Sequence, residues 1–206
     1  MDKLTAGRLL RSNTRGCVVG CHISQSPPDF GSMIYIPTGD GRIYGLVYDI
    51  HIDDDGLVRQ LAASDSISDE VILDNRLNRN TPLEMSILFI GYESNGAISH
   101  LLPPHPPLSL DTMHLCSREE IRLFTHAGNF GYFRYLLTNP DLPIADLVAA
   151  HIISGYRSQT ATDSEHWKTL AIDRVITLLR DNHDILNQVL FAISDAFNAI
   201  VTIQED

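Results

Sequence analysis

Residues 101–120 read LLPPHPPLSLDTMHLCSREE. Pro103, Pro104, Pro106 and Pro107 cannot donate ladder hydrogen bonds, so the stretch is no central strand. A flexible linker would be rich in glycine and serine, whereas polyproline geometry is stiff. Leu108, Leu110, Met113 and Leu115 follow, and Ser117 with Glu120 then forms a Ser-x-x-Glu capping box. The segment reads as a rigid strap, then an edge strand, then the first turn of a helix. Two parts of the chain are thereby held in fixed relation.

Upstream of the strap, the chain is punctuated like an all-β unit. GCVVGCHIS (16–24), SMIYIP (32–37), GRIYGLVYDIHI (41–52), LVRQLA (57–62), LEMSILFIGY (83–92) and AISHLL (97–102) are short runs rich in β-branched and aromatic residues. Turn signals separate them, the strongest being Asn95-Gly96, since both residues tolerate the positive φ of a hairpin turn. In the third run Tyr44, Leu46, Tyr48 and Ile50 share one face, and Ile43, Gly45 and Val47 the other. Six short strands at this spacing predict a small barrel or sandwich. Residues 68–80, SDEVILDNRLNRN, read as a helical turn or an excursion.

Downstream the apolar period changes from two to about 3.6. The stripes are Ile144, Leu147, Val148 and Ile152; then Trp167, Leu170, Ala171, Val175 and Leu178; then Leu186, Val189, Leu190, Ile193, Phe197 and Ile200. Each needs a cover, so the helices pack on one another or on the barrel. The expected fold class is α+β: an N-terminal small antiparallel β-barrel over 1–116 and a C-terminal α-helical region over 117–206.

The composition, 44% hydrophobic and 20% charged, suits a folded chain rather than a disordered one. The formal charge is −11. Eight of the 15 basic and 14 of the 26 acidic residues lie up to Cys116, so both parts are acidic. Nucleic-acid binding needs a cationic footprint, so weak or no direct binding is expected, and basic protein partners suit this surface better. No apolar run reaches a membrane span or the core of a signal peptide, and Cys17, Cys21 and Cys116 are an odd count that argues for thiols. The expected location is cytoplasmic, with no membrane contact.

GRIYGLVYDI, the opening AGRLLRSNTRGCVVGCHIS and the proline-rich exit PPHPPLSLDTMHLC together resemble the HAS-barrel, the domain found in front of HerA-type translocating ATPases and in ATP synthase subunits. The resemblance covers roughly residues 5–115. It implies a role in assembly and partner docking. The nucleotide-binding part of a HerA-type protein has no counterpart here: there is no G-x-x-x-x-G-K-[ST], and the lysines are Lys3 and Lys168 alone. ATP hydrolysis therefore does not carry over. The chain reads as a non-enzymatic module docking to a translocase or nuclease of that type, or as the front part of a longer ATPase.

Individual residues add little chemistry. Cys17 and Cys21, on one strand face, would lie roughly 13 Å apart, too far for two thiolates on one zinc. Buried barrel cysteines are the better reading. Cys116 before the capped helix, with His114 nearby, raises a cysteine-dependent hydrolase as an alternative, without a recognisable oxyanion hole. Asp53-Asp54-Asp55-Gly56 lacks the alternation of a calcium loop and reads as a solvated turn. His151 falls on an apolar stripe and reads as a hydrogen-bonded core histidine; Arg174 beside the next stripe snorkels or pairs with an acid. No catalytic residue, cofactor or metal is expected. The informative cluster is FGYFRYLL (130–137), where Phe130, Tyr132, Arg134 and Tyr135 are residue types favoured at interface hot spots. They form either a candidate protein interface, to a partner or to a second copy, or the seal between barrel and helices.

Overall fold

The computed structural model describes residues 5–21, 27–52, 63, 68–71, 73 and 83–204. Among these residues seven strands are formed: β1 (Thr5–Ser12), β2 (Gly16–Cys21), β3 (Met33–Thr38), β4 (Gly41–Ile52), β5 (Leu83–Ser94), β6 (Ala97–Ser99) and β7 (Thr112–Leu115). They pair antiparallel in the order β2-β1-β7-β3-β4-β5-β6, and a further β2–β5 ladder, from Gly16↔Leu88 to Cys21↔Leu83, closes the sheet into a six-stranded barrel. β6 stays outside the closure as the second arm of the Asn95-Gly96 hairpin, whose two residues take φ of 51° and 78°.

Two features differ from the sequence reading. β7 is not an edge strand; it pairs with β1 on one side and β3 on the other, and so completes the barrel. β1 itself went unforeseen as a strand. The run 57–62 and the Asp53–Gly56 turn lie outside the described residues, as does the end of the first run, with His22. Residues 69–71 and 73 are helical, and the run at 97–102 is a strand only over Ala97–Ser99.

The alternation of the strands explains a core in two layers. Leu9, Val19, Ile36, Val47, Ile87, Phe89 and Met113 fill the barrel interior together with Cys17 and Cys21. Tyr35, Tyr44, Leu46, Leu88 and Ile90 point outward, and they are buried as well because the helices cover them. MIYI in β3 is therefore buried at all four positions.

The helices are α1 (Arg118–His126), α2 (Phe133–Leu137), α3 (Ile144–Ser158), α4 (Ser164–Leu179) and α5 (His183–Gln204). α1 starts at the expected capping box. Ser117 Oγ accepts the Glu120 N–H at 3.3 Å, and Glu120 Oε2 accepts the Ser117 N–H at 2.8 Å. Arg42 of β4 ties this turn to the barrel, meeting Glu120 Oε1 at 2.6 Å and Glu93 Oε2 of β5 at 3.0 Å. α3 is central and packs against α1, α4 and α5. Leu147, Val148 and Ile152 on its stripe are fully buried. The stripe of α4 runs Trp167, Ala171, Val175, Leu179, while Leu170 and Leu178 face solvent. Ridges spaced by four explain the rotation from the expected set.

Candidate functional site

The cluster at 130–135 is split by depth. A tight turn at Gly128, Asn129 and Phe130 has φ of 57°, 47° and 53°, three consecutive left-handed residues closed by a 3.0 Å bond from the Gly131 N–H to the Gly128 carbonyl. Left-handed backbone costs non-glycine residues about 1–2 kcal/mol each. The turn swings Phe130 inward, against Phe133 and Trp167, each 5.5 Å away between ring centres. Tyr132 is fully buried and packs on Phe124 at 5.2 Å and His100 at 4.9 Å. Phe124 in turn lies 4.7 Å from Tyr44 of the barrel. Phe130 and Tyr132 thus stand in the joint between barrel and helices.

Arg134 and Tyr135 lie at the half-buried rim of that joint. The Arg134 guanidinium sits 4.3 Å above the Tyr135 ring and donates to Tyr135 Oη at 2.7 Å, to the Gly131 carbonyl at 2.6 Å, and to the His100 carbonyl. His100 is held from its other side: Nε2–H donates to the Phe124 carbonyl at 3.1 Å, and burial lowers its pKa. These bonds pin the point where the chain leaves β6 for the strap.

The strap that follows is anchored along its length. Pro103 and Pro107 are buried, and Ser12 Oγ donates to the Pro107 carbonyl at 2.5 Å. Leu108–Asp111 forms a turn in which Asp111 Oδ2 accepts the Leu108 N–H at 2.8 Å. The Leu110 N–H donates to Leu9 of β1 at 2.8 Å, and the Leu9 N–H to Asp111 at 3.0 Å. Arg8 Nη1 caps the Leu110 carbonyl at 3.2 Å.

The side chains borne by this stiff backbone face outward. Leu101 is 58% exposed, Leu108 73% and Leu110 68%, with Leu10 of the adjoining β1 at 39%. Leu110 also has φ of 71°, a left-handed conformation that disfavours any side chain. The reading of the sequence places Leu108 and Leu110 in this segment but assigns neither to a site, and it does not single out Leu10 or Leu101. The signal was present: leucines flanking a proline run cannot be placed inside a sheet by its pairing, so alternation there says nothing about burial.

The other singled-out residues serve the fold. Cys17 and Cys21 are buried inside the barrel, and burial pushes the Cys17 thiol up to about 12 and raises Cys21 as well. Cys116 is buried, and His114 stacks on Tyr35 at 5.2 Å with Nε2 3.2 Å from Thr112 Oγ1. His151 is a core histidine bonded to Tyr132 Oη at 2.8 Å. Arg174, expected to snorkel or to pair with an acid, makes no ion pair among the described residues, and its Nε is buried without a hydrogen-bond partner there. No group of three or more His, Cys, Asp or Glu side chains suited to a metal occurs among the described residues, and none of the described helices is long and apolar enough to cross a membrane. No protein-family model matches the sequence, and no curated protein matches it significantly.

Proposed function

We propose that the protein is a non-enzymatic assembly module which docks to another protein through the outer face of its strap. One observation carries this reading. Leu108 and Leu110 are 73% and 68% exposed on a backbone tied down on both sides, and Leu110 is held there in a left-handed conformation. Within the monomer that strain yields no burial; covering each leucine would contribute about 1.5–3 kcal/mol. At the start of the strap Leu101 is also exposed, next to His100, whose carbonyl accepts from Arg134, so the Arg134–Tyr135 rim is taken as the border of the contact.

The closed barrel and proline exit are those of a HAS-barrel protein in this reading. The partner is a translocase or nuclease of the HerA type supplied by another cytoplasmic chain, and the charge of −11 favours a basic face on it. Hydrogen exchange of the purified protein with and without a purified partner ATPase tests this. Slowed exchange confined to 100–111 and the Arg134–Tyr135 rim is expected. Slowed exchange elsewhere with the strap unchanged contradicts it, and slowing that depends on the protein's own concentration assigns the strap to self-association instead.

A further inference from the structure

A cleft of about 380 Å³ opens between the turn that precedes β3, the first turn of α1 and the C-terminal half of α3. Phe30, Ile121 and Ile153 are the large apolar side chains of its mixed lining. Arg118 and Arg157 stand at its rim, both exposed, and neither guanidinium pairs with a carboxylate among the described residues. Among the other described arginines, Arg11, Arg42, Arg122 and Arg180 each meet an acid, and Arg8 and Arg134 are engaged by backbone carbonyls. In a protein of net charge −11, two unpaired arginines from different helices facing one cleft form a local cationic site.

The walls are preformed. Gly31, at φ 79°, lies so close to α3 that a Cβ there would come within 2.5 Å of the Ala150 methyl. The turn is fixed to the barrel by Gly31 N–H to the Val47 carbonyl at 2.8 Å and Val47 N–H to the Ser32 carbonyl at 3.1 Å. Asp29 also lines the cleft and has no ion pair among the described residues. Two guanidiniums exceed its one charge, and its carboxylate offers an acceptor for a ligand hydroxyl or amine.

We propose that this cleft binds a small phosphate monoester with a compact apolar body. The phosphate, a dianion, bridges Arg118 and Arg157, whose planar forks suit its oxygens. The organic body lies on Phe30, Ile121 and Ile153. The cleft shares no lining residue with the strap, so the two readings fail separately.

Calorimetric titration of the full chain with phenyl phosphate, at low ionic strength, tests the site. A Kd of about 0.1–1 mM is expected for a probe of this size. Arg118→Gln and Arg157→Gln should each weaken it by roughly tenfold at unchanged melting temperature, since neither removes an ion pair. Arg15→Gln, an exposed arginine of the β1–β2 turn, should leave it unaltered. Absence of saturable binding overturns the site. So does equal weakening by Arg15→Gln, which would mean non-specific attraction, or binding of an acidic peptide without any of phenyl phosphate.

Discussion

Tyr132 and His151 share a 2.8 Å hydrogen bond between Oη and Nε2, and both residues are fully buried. The bond joins the turn before α2 to the middle of α3, directly behind the aromatic seal of the barrel. A neutral imidazole suits this site. Burial lowers the His151 pKa from 6.5 to about 4, and raises that of Tyr132 well above its ordinary value.

Stability should therefore depend on pH. Between pH 6.5 and 4 the unfolded chain binds a proton at residue 151 that the folded chain refuses, so stability falls as pH falls through that window. The expected loss from pH 7 to pH 5 is about 2 kcal/mol from this residue, and His100 acts in the same direction. Denaturant unfolding of the parent and of Tyr132→Phe/His151→Leu at both pH values measures it. The double variant should show a flatter dependence; identical slopes would mean that His151 takes up its proton normally in the fold.

The packing of α3 on α4 makes a second prediction. A Cβ at Gly155 would come within 2.2 Å of the Trp167 ring, which is itself buried. Gly155→Ala should destabilise the protein by about 2 kcal/mol, despite alanine's better helix propensity. Trp167 fluorescence during unfolding reports it, and an unchanged midpoint would show that the ring can yield.

Native thiol chemistry should be slow. Cys17, Cys21 and Cys116 are all buried, and the Cys17 pKa of about 12 leaves almost no thiolate near neutrality. Labelling with a disulfide reagent should proceed only at the rate of unfolding, with three thiols released in denaturant. Rapid labelling of Cys116 in the folded protein would return the cysteine-hydrolase reading to consideration.

The elements most legible in the sequence were those fixed by local chemistry. The Ser117–Glu120 capping box and the Asn95-Gly96 hairpin each form where their residues dictate. Closure was less legible, because it rests on pairing between residues about a hundred positions apart. The Thr5↔His114 and Arg8↔Thr112 register turns an expected edge strand into a barrel strand. β1 was obscured by its own pattern: Leu9 points in and Leu10 out, and Gly7 adds no side chain to the alternation. The depth of Phe130 depends on three left-handed residues, and although Gly128 and Asn129 are types that tolerate such a conformation, Phe130 itself gives no sign of it in the sequence.

The docking reading rests on Leu110, and Leu110→Gly tests it most directly. Glycine adopts φ of 71° without penalty, and little packing is lost from a side chain that is 68% exposed. The folded protein should keep or gain stability, by up to about 1 kcal/mol, while affinity for the partner falls at least tenfold. Melting temperature and partner Kd, measured on the same sample, decide it. Unchanged affinity, or affinity lost only in proportion to a lowered melting temperature, would contradict the strap as the docking surface.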